Sequence, residues 1–347
     1  MSEGRMQNDG AETLLELEKE ATAERARRAQ SLRRMLQGSG IAIPFILVVG
    51  ASALLVPNFL SSSNVTNVLV NSAILALVGY GMTIVIAVRG IDLSVGSAQA
   101  LSACVVAAAV NSAGPVVGVG AGIVLGCLLG LVNGLVITRL RVPAFVATLG
   151  TMTVFRGAVL LFTNGAPIPI ASAGFKTIST SSLGPLPVPL VISLAVGLVF
   201  WFAMSKMSTG RHVVAVGGNP EAAVESGISV NRVLLGAYMV GGLATGIAGV
   251  LLASQLGVVN GSVSQGLELQ AIAVVVLGGT SMAGGRPRVW GTFIAAVVLS
   301  TINSSLNLLN VSSSYQYVAL GGLLVLALAI DSGQRSAVRK MLQGGAK

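Results

Sequence analysis

The chain has 347 residues, of which 53% are hydrophobic and 10% charged, with a mean hydropathy of +0.85, and that balance excludes an ordinary water-soluble protein. Lys and Arg outnumber Asp and Glu by 21 to 12, a net charge of +9, yet aromatic residues make only 4% and no basic stripe interleaved with aromatics occurs, so no nucleic-acid partner is expected. The excess is better explained by topology, with basic residues retained on one side of a membrane.

Residues 1–40 carry seven acidic and seven basic side chains. Glu12, Glu16, Glu18, Glu20 and Glu24 precede Arg25, Arg27, Arg28, Arg33 and Arg34. This order suits the dipole of a cytoplasmic helix. The basic run before the first apolar stretch resembles a secretory signal, but further apolar stretches follow, so it reads as an uncleaved first span. A spanning helix needs about 20 mostly apolar residues. Ten stretches approach or reach that length: 41–60, 65–88, 93–110, 116–138, 142–162, 188–204, 233–256, 267–282, 289–309 and 315–330. Their unbroken apolar runs do not alternate as barrel strands must. The expected fold class is therefore an all-α polytopic membrane protein, with a charged N-terminal helix in 1–40, a transmembrane domain over 41–331 and a cytoplasmic tail at 332–347.

Ten crossings from a cytoplasmic N-terminus place 19 of the 21 Lys and Arg residues, Arg89, Arg139, Arg141, Lys206, Arg211, Arg232, Arg286 and Arg288 among them, on the cytoplasmic side. Only Lys176 falls outside and Arg156 within a span. Trp201, Trp290, Tyr315 and Tyr317 sit near span ends, where interfacial aromatics belong.

In the second span, Leu77-Val78-Gly79-Tyr80-Gly81 spells most of a potassium-channel filter. It lies deep in a run of helical length, however, and lacks the opening threonine. Asp92, three residues after Arg89, reads as a local cap or ion pair. Cys104 and Cys127 lie in apolar runs, where a thiol acts as a small hydrophobe, and His212 is the only histidine. No metal site is expected from such a set. The fourth span carries Gly114, Gly118, Gly122, Gly126, Gly130 and Gly134 at spacing four, and the seventh carries Gly242 and Gly246; such ladders let helices approach closely.

Arg156 stands 14 residues after Val142, about 21 Å along a helix, and Glu268 opens the eighth span; both are expected near the outer face, as an ion pair or a substrate contact. Asn71, Asn133, Gln270, Asn303 and Asn307 are candidates to line a pathway, and each is equally explained by hydrogen bonding between helices. No Lys is preceded by Gly, so a nucleotide-binding P-loop is missing, and no catalytic constellation is present.

The cytoplasmic loop 205–232 reads as a connection containing one short helix, with Asn219 as N-cap, Pro220 first, Glu221 in the first turn, then Ala222 and Ala223, and Gly227 as its stop. This segment resembles the coupling loop of ABC importer permeases. Gly90-Ile91-Asp92-Leu93-Ser94-Val95-Gly96-Ser97, Val142-Pro143-Ala144-Phe145-Val146-Ala147-Thr148-Leu149-Gly150, and Glu268-Leu269-Gln270-Ala271-Ile272-Ala273 through Leu277-Gly278-Gly279-Thr280-Ser281 are similar to the ribose, xylose, arabinose and galactose permease family. Many members carry Asp where this chain has Gln270.

The resemblance covers about 41–331. It implies a bacterial inner-membrane permease with both termini cytoplasmic, working as a pair of copies. Such a permease receives a monosaccharide or similar solute from a periplasmic binding protein. It is driven by cytoplasmic ATPase subunits that use ATP and Mg, with no cofactor in this chain. Spans two to five and seven to ten would form two inverted halves. The competing class is an ion-coupled secondary transporter or channel, which needs intramembrane carboxylates or histidines; only Asp92 and Glu268 are candidates.

Overall fold

The computed structural model describes residues 41–312 without a break and single positions among 314–325. The charged segment 1–40, most of the tenth expected span and the tail 332–347 lie outside the described residues. The chain divides into two units at Pro44, and the packing described below is that of the second. Its helices in chain order are α1 (Ala42–Leu55), α2 (Ser62–Ala87), α3 (Val95–Ala113), α4 (Pro115–Arg139), α5 (Ala144–Thr163), α6 (Ala173–Thr180), α7 (Val188–Lys206), α8 (Ser208–Gly218), α9 (Pro220–Glu225), α10 (Val230–Leu256), α11 (Leu267–Leu277) and α12 (Val289–Leu308). Two antiparallel pairs of two-residue strands, β1 (Ile168–Pro169) with β4 (Val258–Val259) and β2 (Ser182–Leu183) with β3 (Leu186–Pro187), clamp loops at one end. Seven described helices, α2, α3, α4, α5, α7, α10 and α12, have the length and apolar composition to cross a membrane.

Two expected spans are shorter than the hydropathy implied. The 14-residue α1 stops at Leu55 because Val56 precedes Pro57, and the residue before a proline is driven out of the α region. The eighth expected span, 267–282, is helical for only 11 residues, about 16 Å and half the hydrocarbon thickness. It ends where Gly279 takes φ +84, a left-handed conformation cheap only for glycine. The segment before it, 257–266, is largely non-helical and runs along α3: Cys104 Sγ approaches the Asn260 carbonyl at 3.8 Å, and Ser264 Oγ donates to Gln99 Oε1 at 2.6 Å. Val259 and Gly261 are the buried residues of this segment, and Val258, Ser262 and Gln265 are exposed.

α2 is the hub. It is buried from Ser72 to Val88 and packs against α7, α10, α11 and α12. The filter-like stretch is part of this helix, with Gly79 against Thr292 and Val274 and Gly81 against the Gly241 backbone, so its carbonyls stay in the helix and line no ion path. α10 runs antiparallel to α2, Gly241 meeting Gly81 while Gln255 meets Asn71.

The glycine ladder of α4 seats two helices. Gly118 and Gly122 lie against Val110 and Val106 of α3, and Gly126 and Gly130 lie against Gly242, Gly246 and Tyr238 of α10. A methyl group on Gly126 would sit 2.6 Å from Gly246 Cα, a backbone atom that cannot rotate away. Gly114 departs from the ladder: at φ +90 it forms the turn from α3 to α4 and has open space around it.

Candidate functional site

At the end of the bundle that carries Arg89 and Lys206, the segment between α7 and α10 folds into two helices rather than one. The eleven residues of α8 fall where the sequence predicts plain loop, although Gly210, Val213, Val216 and Gly217 recur at helical spacing and form its buried face. α9 then starts at Pro220, whose missing N–H costs nothing at a first helical position. Asn219 Oδ1 accepts from the Glu221 and Ala222 N–H groups at 3.0 and 3.2 Å. The helix closes in a Schellman motif, with Gly227 at φ +78 and the Ile228 and Gly227 N–H groups bonded to the Ala223 and Val224 carbonyls. Ala223 is the buried residue of α9, only 3% exposed, whereas Glu221, Ala222, Val224 and Glu225 face outward. This helix therefore offers a partner an apolar Val224 between two carboxylates.

The structure does not form the expected ion pair between Arg156 and Glu268. Arg156 Nη1 donates instead to the Gly261 and Val263 carbonyls at 2.8 and 3.0 Å. Segment 257–266, having no helical ladder of its own, brings those free acceptors to α5. Glu268 is also not at the outer face: its Oε2 lies over Gly96, in the first turn of α3, at the end of that helix nearest Arg89. It stands in the first turn of α11 as well, so helix N-termini face the carboxylate directly, and the Arg156 guanidinium acts on it only through space, beyond direct contact.

Asn133 is buried and lines no surface. Its Nδ2 donates to Ser94 Oγ at 2.7 Å and to both Asp92 oxygens at 3.3 Å, and its Oδ1 accepts from Thr151 Oγ1 at 2.6 Å. Asp92 forms no ion pair with Arg89. Its Oδ1 accepts from the Ser94 N–H and hydroxyl, which bends the chain into α3, and burial pushes the carboxyl above its ordinary value while these bonds oppose the shift. Ile91 accepts from Thr148 Oγ1 and the Tyr238 hydroxyl, so α4, α5 and α10 all hold the turn at 90–94.

Of the remaining candidates, Asn71 is exposed and accepts from Gln255 Nε2 at 2.9 Å, and Asn307 accepts from Gln316 Nε2 at 2.8 Å. Gln270 and Asn303 are half-buried. These amides are not brought into one cluster. Gln255 is absent from the sequence-based candidates, its one signal being an amide beside Ser254 near the end of an apolar helix.

Long apolar helices packed through glycines, a segment that enters the bundle without being helical, and a capped helix presented at one end define a polytopic membrane transport protein. Residues 64–328 match the family described as "Branched-chain amino acid transport system / permease component", and the chain belongs to that family of transport permeases. It is 44% identical to the ribose import permease protein of Bacillus subtilis (strain 168), over 83% of this chain and 90% of that one. It is 35% identical to the D-allose transport system permease protein of Escherichia coli (strain K12), over 79% and 84% of the two chains. With the L-arabinose ABC transporter permease protein of Azospirillum brasilense it shares 33% identity over 91% and 94%. No solved structure matches it.

Proposed function

We propose that this permease is the membrane subunit of an ATP-driven importer that carries a monosaccharide from periplasm to cytoplasm. The carrying observation is that relatives named for ribose, D-allose and L-arabinose transport align with 79 to 91% of the chain. The family description speaks of amino acids, but the charged candidates Arg156 and Glu268 are engaged by main-chain carbonyls and by helix N-termini, which leaves the amides Asn71, Gln255, Gln270, Asn303 and Asn307 to meet the solute. Neutral donors and acceptors suit a polyhydroxylated solute better than a zwitterion, whose two charges need charged partners.

Two copies of the chain form the pathway, each from two inverted halves, in a bacterial inner membrane with both termini cytoplasmic. A periplasmic binding protein delivers the solute, and cytoplasmic ATPase subunits dock on α9 and supply the ATP and Mg chemistry that this chain does not. The sorting of Lys and Arg supports the orientation.

Uptake of labelled D-ribose, D-allose, L-arabinose and L-leucine by a deletion strain, with and without the restored gene, tests this reading. Restoration should recover at least one sugar, in a manner sensitive to ATP depletion and insensitive to a proton ionophore. Recovery of L-leucine alone, or collapse of sugar uptake with the ionophore, would overturn it.

A further inference from the structure

We propose that Arg89 is the positioning residue that joins the ATPase-coupling segment to α2 and to the loop between α11 and α12. This inference rests on the reading of α9 as the coupling helix. Arg89 follows the end of α2 at the position where a Schellman motif normally has glycine: its N–H bonds to the Ile86 carbonyl, the Gly90 N–H bonds to the Val85 carbonyl, and its φ is +64. A left-handed arginine is strained, and with Gly90 next in the chain, glycine was within one residue's reach. Such a conformation persists where the surroundings impose it.

The guanidinium shows what they impose. Nε donates to the Gly217 carbonyl at 2.7 Å and the Ala283 carbonyl at 3.1 Å, and Nη2 donates to the Gly218 carbonyl at 2.5 Å. Gly217 and Gly218 are the last residues of α8, immediately before Asn219, which caps α9. Ala283 belongs to the loop after α11. The left-handed turn lets one planar fork span both segments. The main chain reinforces the joint, since the Gly285 N–H donates to the Ala87 carbonyl at 2.8 Å and Gly217 lies so close to that oxygen that no side chain fits there. A push on α9 thus reaches the end of α2 and the 278–288 loop through Arg89, whereas without it α8 and α9 would slide over that end. All three acceptors are carbonyls, which no acidic residue in the sequence would reveal.

The test uses the full permease–ATPase complex carrying Met282→Cys, on the loop that Arg89 holds. The maleimide labelling rate of that thiol is measured without nucleotide and after trapping with ATP, Mg and vanadate. Trapping should change the rate in the parent by about fivefold or more, the low end of ordinary coupling between sites. Arg89→Met should keep the ATPase bound and lose that response. A parent-like response in Arg89→Met, no response in the parent, or loss of ATPase binding in Arg89→Met would each overturn the proposal. If Arg89→Met fails to accumulate, Arg89→Lys decides by the same readout. It keeps the charge without the planar fork and should show a reduced response, and a full one would overturn the inference. The coupling-helix reading fails on a separate measurement, retention of the ATPase by Val224→Asp.

Discussion

Arg156 reaches across from α5 to the Gly261 carbonyl at 2.8 Å, and that bond, with its neighbour to Val263, pins the non-helical entry to α11. Arg156→Met would leave two shielded carbonyls without a donor, a cost of about 1–3 kcal/mol. Glu268→Gln preserves shape and should cost less. Because no contact ion pair joins the two and their charges interact only through space, the double variant should regain no more than a small part of the Arg156→Met loss. Thermal unfolding of detergent-solubilised protein checks this. Recovery of most of the lost stability in the double variant would restore the direct pair.

Glycine substitutions along α4 should divide sharply by position. Gly126→Ala places a methyl against the backbone of Gly242 and Gly246, and overpacking of this kind costs about 1–3 kcal/mol. Gly120→Ala meets nothing within 4 Å and replaces a poor helix former by the best, a gain of up to about 1 kcal/mol. The comparison isolates packing from propensity. Equal melting temperatures for the two variants would deny the α4–α10 seam its role.

The seven long helices and the glycine seam were legible in the sequence because each has a periodic or compositional signal in one segment. The short α11 was not. The residues after Leu277, Gly278 to Met282, are glycine, small or apolar, so hydropathy runs on after the helix has stopped. Arg156 was recognised as needing a partner, but its acceptors are main-chain carbonyls, which every residue carries and no sequence pattern marks. In α9, Asn219 and Gly227 announced both ends, yet six residues are too few for a period to tell buried Ala223 from exposed Ala222. Asn133 among apolar neighbours gave no hint whether it faced a pathway or, as it does, Asp92.

Sidedness is open to a direct measurement. Ser182 and Ser226 are both exposed, so cysteine at either should be reactive wherever reagent can reach it. An impermeant maleimide added to intact spheroplasts should label Ser182→Cys and spare Ser226→Cys until the membrane is opened. The opposite pattern would reverse the orientation drawn from the Lys and Arg residues.

The outward face of α9 makes the docking reading quantitative. Glu221 and Glu225 stand four apart, and like charges at that spacing cost an isolated helix about 0.2–0.5 kcal/mol, a repulsion that a basic partner surface relieves. Association with the ATPase should therefore weaken as salt rises, and Glu221→Lys with Glu225→Lys should weaken it further while removing that salt dependence. Val224→Asp buries a charge on docking and should abolish association without lowering the amount of permease in the membrane, because Val224 is 61% exposed in the chain itself. Ala223→Phe should do the reverse, reducing membrane yield, since that side chain points into the protein. Asn219→Ala removes the acceptor for two N–H groups and should loosen the helix by about 0.5–2 kcal/mol, weakening association in proportion rather than eliminating it. Co-purification of the ATPase across a salt series measures all of these. Undiminished association in Val224→Asp would leave α9 as a connector and move the docking surface elsewhere.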